Sequence, residues 1–141
     1  WNRDALTRAT MRGEWLGTGD RFRRDGEGYY WFVGRDDDLF KVAGSWVSPV
    51  EIEHALLAHP AVADCAVVGG RDAQGLGRAL AFVVPRPGAL DPEGGGDALA
   101  AALRAHLATR VAAFKIPAEF RFAPGLPRTA TGKRRRAALR G

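Results

Sequence analysis

The sequence predicts a small α+β domain whose elements follow the order β-β-α-β-β-α-β from about residue 38 onward. Two near-continuous apolar runs, residues 62–69 and 78–85, are typical of central, covered strands. A proline-led helix start at Ser48-Pro49 precedes them, and a helix with leucines four residues apart follows them. We expect a short two-stranded hairpin and a three-stranded sheet packed with helices.

Residues 14–33, ahead of this domain, are predicted to form an aromatic β-hairpin. The turn signal Asp-Gly-Glu-Gly at residues 25–28 is followed by Tyr-Tyr-Trp-Phe-Val at residues 29–33. A two-stranded ribbon with large aromatics on both faces cannot bury itself. The hairpin therefore packs either on the domain's own core or on a preceding domain.

Five segments of the domain are predicted as strands because they are short, apolar and bounded by turn residues. They are residues 39–42, 46–47, 62–69, 78–85 and 119–123. The first two flank a turn at residues 43–45 and form the short hairpin.

Two helices are predicted between these strands. The first covers residues 49–58, with Ser48 as N-cap, Pro49 at the first helical position and Glu51 completing a capping box. The second covers residues 97–110, where Leu99, Leu103 and Leu107 form an apolar stripe.

The composition favours one globular domain and excludes several kinds of site. The 141 residues are 46% hydrophobic and 26% charged, and no window reaches the length of a membrane-spanning helix. Cys65 is the only cysteine, which excludes disulfides within the chain and thiolate metal clusters. His54, His59 and His106 lack metal-ligand spacing, so we predict no metal site. The single cysteine and the lack of a membrane-spanning window favour a cytoplasmic location.

The net charge of +5 is concentrated at Lys133, Arg134, Arg135, Arg136 and Arg140. These five positive charges equal the whole excess, so the rest of the chain is neutral overall. A small basic module that binds nucleic acid is one hypothesis for such a cluster. A solvated basic face is the simpler interpretation.

Five short motifs follow one another along the chain: Thr18-Gly19-Asp20, and residues 34–38, 41–44, 47–53 and 126–133. In this order they resemble the C-terminal region of adenylate-forming enzymes, which include acyl- and aryl-CoA synthetases, firefly luciferase and adenylation domains of nonribosomal peptide synthetases. The Ser-Pro pair and the Pro-Arg-Thr-Ala-Thr-Gly-Lys ending most resemble benzoate-CoA ligase and its relatives. The resemblance covers nearly the whole chain.

The resemblance implies a division at the middle of the second motif. Residues 1–36 would be the tail end of a large N-terminal adenylation domain, and residues 37–141 a C-terminal lid. We expect the chain, which begins with Trp1 instead of Met, to be a fragment that is inactive alone. Its partners would be its own N-terminal domain and an aromatic or other small carboxylic acid, with ATP, Mg²⁺ and CoA, and neither nucleic acid nor a membrane.

The same resemblance assigns roles to individual residues. Lys133 would be the catalytic lysine of adenylation, and Lys41 a second catalytic cation on the thioester-forming face. Asp20 and Arg35 would contact the ATP ribose, and Asp37 would be the hinge. Gly44, Phe114 and Lys115 would contact CoA. Asp36 and Asp38 are interpreted as solvated charges.

A second alternative lies within the superfamily. The lid of a peptide-synthetase adenylation domain would carry similar motifs but would transfer the acyl group to a carrier protein instead of free CoA.

Overall fold

The computed structural model describes residues 4–90 and 96–140, and the chain divides into two compact units, Trp1–Asp37 and Asp38–Gly141. The division falls beside the predicted hinge residue, Asp37. That the first unit is the tail of a larger adenylation domain stays a prediction. The two units are described separately below.

The first unit contains the aromatic hairpin. Helix α1 (Asp4–Thr10) precedes the short pair β1 (Met11–Arg12) and β2 (Trp15–Leu16), and antiparallel strands β3 (Asp20–Arg24) and β4 (Tyr30–Arg35) follow. The Asp25 carboxylate fixes the turn, because it accepts hydrogen bonds from the backbone N–H groups of Glu27 (3.0 Å) and Tyr29 (2.9 Å).

The large aromatic side chains of this hairpin are exposed. Phe22 and Phe32 meet edge to face at 5.7 Å between ring centroids, yet both remain more than half exposed. Trp15, Tyr30 and Trp31 are exposed as well. Several exposed large aromatics on one short hairpin are typical of a surface that another protein surface covers.

The second unit follows the element order that the sequence predicts, which confirms the α+β fold class. Its strands are β5 (Phe40–Val42), β6 (Ser45–Val47), β7 (Val62–Arg71), β8 (Gly77–Pro85) and β9 (Glu119–Phe122), and its helices are α2 (Pro49–Leu57) and α3 (Asp97–Ala108). Single 3₁₀ turns lie at Ala113–Lys115 and Arg136–Leu139.

The three-stranded sheet has the order β7-β8-β9, and β8 pairs antiparallel with β7 and parallel with β9. The parallel pairing requires a crossover, which the segment containing α3 supplies. Both helices place apolar residues in the core, including Ile52 and Leu56 from α2 and Leu103 and Leu107 from α3. The predicted leucine stripe of α3 is thus its buried face.

The start of α2 differs from the predicted capping box. Pro49 occupies the first turn as expected, and Ser48 lies at the N-cap in an extended conformation without a side-chain cap hydrogen bond. The Glu51 carboxylate instead binds Lys115 Nζ, at 2.7 Å from each oxygen. A charged partner from a distant segment replaces the local hydrogen bond.

Gly77 allows β5 to approach the beginning of β8. A Cβ at this position would lie 2.1 Å from the backbone oxygen of Lys41, a contact that only a backbone shift can relieve. We expect Gly77→Ala to lower the free energy of unfolding by about 2 kcal/mol or more. Gly125→Ala is the control, since a Cβ there meets nothing within 4 Å. Urea denaturation followed by circular dichroism measures both variants, and equal stabilities would contradict the expected clash.

Candidate functional site

Two of the predicted site residues of the first unit are direct neighbours. Asp20 begins β3 and Arg35 ends β4, and the strand register pairs them across the open end of the hairpin. The Gly19 backbone, at φ 73°, lies beside the Arg35 guanidinium, with 3.7 Å between a Cβ built there and Arg35 Nη2. Next to a ribose diol, the carboxylate can accept hydrogen bonds from the hydroxyl groups and the guanidinium can donate hydrogen bonds to them.

Asp37 lies within reach of this pair. Its Oδ1 accepts a hydrogen bond from Arg35 Nε at 3.0 Å, and both side chains are more than half exposed. Asp36 pairs with Arg21 and is also mostly exposed. The predicted hinge residue is therefore linked to a residue that we expect to contact ATP.

Three predicted site residues of the second unit lie in one open groove of about 990 Å³. Lys41 from β5, Gly44 from the β5–β6 turn and Phe114 from the first 3₁₀ turn line it together. Lys41 Nζ also lies over the ring of Trp46, its cross-strand partner, at 4.9 Å from the centroid. Phe114 is 70 positions after Gly44 in the sequence, and the fold brings it to the surface that Lys41 and Gly44 share.

The β5–β6 turn places two successive residues in the left-handed region. Ala43 has φ 48° and Gly44 has φ 79°, as a two-residue hairpin turn requires. No atom lies within 4 Å of a Cβ built on Gly44, so the space beside its backbone is open. Ala43 is the strained member, because an alanine tolerates this region less well than glycine.

Lys115 does not line the groove with Phe114. Its ammonium group is directed to Glu51 at the start of α2 and lies 5.7 Å from the Phe114 ring centroid. Neighbours in sequence thus have different surroundings, with Phe114 on the groove and Lys115 in an ion pair.

Three arginines that the sequence reasoning did not select also line the groove: Arg71, Arg78 and Arg140. Arg71 donates to the Gly75 oxygen at 2.8 Å, and Arg78 pairs with Asp72, so the loop between β7 and β8 holds both in place. Arg78 and Arg140 are each paired with a carboxylate, Asp72 and Asp38, whereas no described carboxylate pairs with Lys41 or Arg71. No local pattern in the sequence indicates these arginines, because residues 71–78 and residue 140 reach the groove only through the tertiary fold.

Lys133 lies on a closed turn and is exposed. The Thr129 N–H donates to the Lys133 oxygen at 2.8 Å, and the Lys133 N–H donates back to Thr129 Oγ1 at 3.1 Å. Arg128 and Arg134, on the two sides of the turn, form an isolated antiparallel bridge. The backbone of the candidate catalytic lysine is thus fixed while its side chain extends outward.

Four arginines on both sides of Lys133 bind three carboxylates of the second unit, and we call this set the arginine clamp. Its members are Arg128, Arg134, Arg136 and Arg140, with Asp38, Glu53 and Asp64. Along residues 133–136, exposed and half-buried positions alternate, as in an extended segment with one face on the protein. Lys133 and Arg135 are the exposed positions of this segment.

Glu53 is the centre of the clamp. Its side chain is 4% exposed, and its oxygens accept from Arg134 Nη1 (3.1 Å), Arg136 Nη2 (2.7 Å) and the Val67 N–H (2.8 Å). Burial alone would lower the pKa of Arg136, but hydrogen bonding and charge from Glu53 and Asp38 outweigh it and raise that pKa. Arg136 therefore stays charged in its half-buried position.

Asp38 corrects one interpretation made from the sequence. It was expected to be a solvated charge, but its side chain is 14% exposed and binds Arg136 at 2.7 Å and Arg140 at 3.1 Å. The sequence does not distinguish Asp38 from its neighbours Asp36 and Asp37, because both arginine partners of Asp38 lie about a hundred residues further along the chain.

The clamp also weakens the nucleic-acid hypothesis. Arg134, Arg136 and Arg140, which belong to the basic cluster, already bind carboxylates of the same unit. A cluster whose charges are neutralised at short range offers fewer free cations to a phosphate backbone.

Cys65 is buried on β7, where burial, followed by the nearby Glu53 charge, raises the pKa of its thiol to about 12. We expect no alkylation by iodoacetamide at pH 8 in the folded protein, because the thiolate is the reactive form. The same reagent should label Cys65 once urea unfolds the chain. Mass spectrometry of both samples measures this, and fast labelling without urea would contradict the burial.

The residues that the structure describes include no group of His, Cys, Asp and Glu able to hold a metal ion. No described helix is long and apolar enough to span a membrane.

Residues 51–133, which include most of α2, the whole three-stranded sheet and the Lys133 turn, match the family described as AMP-binding enzyme C-terminal domain. The chain belongs to this family. The resemblance to adenylate-forming enzymes that the motifs indicated is thereby confirmed.

This AMP-binding C-terminal domain is similar over 99% of its length to several aryl-CoA ligases. It is 46% identical to benzoate-CoA ligase of Thauera aromatica over 140 residues, which are 26% of that protein. A solved anthranilate CoA ligase in complex with anthranoyl-AMP superimposes with a TM-score of 0.89 at 43% identity, covering 99% of this chain and 26% of that one. A solved benzoate CoA ligase from Burkholderia xenovorans LB400 covers 100% and 27%, with a TM-score of 0.81 at 42% identity. The chain thus spans about a quarter of the relatives it matches.

Proposed function

We propose that this chain is the C-terminal part of an ATP-dependent, AMP-forming aryl-CoA ligase of the benzoate type. The observation that carries the proposal is the 46% identity to a benzoate-CoA ligase along nearly the whole chain. The enzyme would first join a carboxylate to AMP and then transfer the acyl group to CoA. Each step uses a different group of the residues described above.

In the first step, a carboxylate oxygen attacks the α-phosphorus of ATP and pyrophosphate leaves. Negative charge accumulates between the two reactants, and Lys133 is the cation placed to stabilise it. The fixed turn at residues 129–133 and the exposed side chain support this role. Asp20 and Arg35, paired at the end of their hairpin, would hold the ribose.

In the second step, the sulfur of CoA attacks the acyl carbon and AMP leaves. The groove formed by Lys41, Gly44 and Phe114 supports a second, CoA-binding face. The cations of Lys41 and Arg71 suit phosphates, and the open space at Gly44 admits a narrow chain. Lys115 would contribute at its edge only after release from Glu51. Lys133 is not among the residues that line this groove.

The two steps then require the lid to present two surfaces to one pocket, by a hinge motion. Asp37 is our candidate for the pivot, with residues 1–36 belonging to the larger domain and residues 37–141 to the lid. The aromatic hairpin supports this assignment, because its large side chains are exposed, as at a surface that a larger domain would cover.

The ligands follow from the same chemistry. ATP would enter with Mg²⁺ bound to its phosphates, and CoA would be the acceptor. The acid would be aromatic or otherwise small. We place the enzyme in the cytoplasm, where ATP, Mg²⁺ and CoA are all available.

The test compares the fragment with a full-length ligase that carries it. We expect benzoate-dependent pyrophosphate release and benzoyl-CoA formation from the full-length enzyme, and neither from the isolated chain. Thioester formation on a carrier protein but not on CoA would instead support a peptide-synthetase lid. Benzoate-dependent pyrophosphate release by the fragment alone would overturn its assignment as a lid.

A further inference from the structure

The carboxylate of Glu53 lies beneath the segment that carries Lys133, although no reacting group is expected to touch it. It is one of two charged or polar residues classed as buried among the described residues, the other being Ser48. Burying a carboxylate is unfavourable unless hydrogen bonds and opposite charges compensate for it. The structure supplies that compensation from Val67 and from two arginines of the Lys133 segment.

These contacts determine where the segment lies. Arg136 reaches Glu53 through Nε (3.1 Å) and Nη2 (2.7 Å), a two-pronged geometry that fixes the direction of the guanidinium as well as its distance. Arg134 shares its guanidinium between Glu53 and Asp64. Because Arg134 follows Lys133 directly, its position sets the position of the Lys133 backbone.

The other side of the turn is held by the same chemistry. Arg128 binds Asp64 and also donates from Nη1 to the Gly132 oxygen at 2.8 Å, immediately before Lys133. Lys133 therefore lies between two anchored arginines, and Glu53 and Asp64 share Arg134. In the described part of the chain, no carboxylate lies within ion-pair distance of Lys133 itself.

We propose that Glu53 is a positioning residue, which holds Arg134 and Arg136 so that Lys133 is presented for the adenylation step. The proposal rests on the proposed function, since it needs Lys133 to act on ATP. Glu53 acts through the arginines and touches no substrate. Its loss should therefore slow the step that uses Lys133 and spare the step that uses the groove at Gly44.

The experiment uses the full-length ligase and measures the two half-reactions separately. Benzoate-dependent pyrophosphate exchange reports adenylation, and conversion of added benzoyl-AMP by CoA reports thioester formation. We expect Glu53→Gln to lower kcat of adenylation by about 10- to 100-fold, the scale of a small misplacement of a catalytic group. KM for benzoate and the rate of thioester formation should stay within about twofold of wild type.

Two further variants separate positioning from folding. Arg134→Gln leaves Glu53 bound to Arg136 and to the Val67 N–H, so the buried carboxylate keeps partners while the Lys133 segment loses one anchor. We expect a smaller, but still selective, loss of adenylation. Glu119→Gln removes the same charge from an exposed Glu–Arg pair on β9 and should leave both half-reactions unchanged. If Glu53→Gln does not fold, Arg134→Gln decides alone.

The outcomes distinguish this inference from the proposed function. Equal losses in both half-reactions, or wild-type adenylation in the Arg134→Gln and Glu53→Gln enzymes, would overturn the positioning role. Full adenylation by a Lys133→Ala enzyme would instead remove the proposed role of Lys133, on which the inference depends.

Discussion

Replacing Lys133 by alanine in the full-length ligase is expected to lower the rate of adenylation by about 10²- to 10³-fold. The reason is that the cation stabilises charge that develops only while the carboxylate attacks the α-phosphate. The lysine is exposed on a fixed turn, so its removal should not disturb the fold. Pyrophosphate exchange with saturating benzoate measures the effect.

The control for this prediction is Arg135→Ala, which removes an exposed positive charge two residues further along the same segment. We expect adenylation within about threefold of wild type for this variant, because a solvated charge contributes little at this distance. Thioester formation from benzoyl-AMP should be nearly unchanged in both variants. Similar losses for Lys133→Ala and Arg135→Ala would show that general basicity, and not a specific lysine, supports the reaction.

Gly44→Ala is expected to have the opposite selectivity, slowing thioester formation by about 10- to 100-fold while adenylation changes little. The added methyl group would occupy the open space beside the turn backbone, where we expect the thiol arm of CoA to pass. Alanine at φ 79° is also strained, which by itself lowers stability.

Gly88→Ala separates these two effects. Gly88 has the same φ of 79° and the same open surroundings, but it does not line the groove. Both variants should therefore lose similar stability in thermal unfolding, while only Gly44→Ala loses thioester formation. Equal activity of the two variants would be evidence against a CoA-binding role for the turn.

The fold of the second unit was predictable because its signals are local. The Ser48-Pro49 helix start, the apolar runs of β7 and β8 and the leucine stripe of α3 each depend on a few neighbouring residues. The capping box failed because a distant residue, Lys115, competed for Glu51. Local rules cannot include such a partner.

The candidate site was predictable only in part, for the same reason. The motifs selected Lys133, Lys41 and Gly44, but no spacing rule relates Glu53 to the arginines that follow Lys133. The charge of those arginines even suggested a solvated cluster, because a formal count does not show which charges are paired. Asp38 was misinterpreted in the same way.

The arginine clamp also has a consequence for the order of folding. Its pairs join residues 64 to 102 positions apart, whereas β7 and β8 form a hairpin across a short loop. Closing the longer loops costs more conformational entropy, so the hairpin should form early and the clamp late. Weakening the clamp would then accelerate unfolding and leave the folding rate almost unchanged. The segment that carries the candidate catalytic lysine would be the first part of this unit to detach and the last to return.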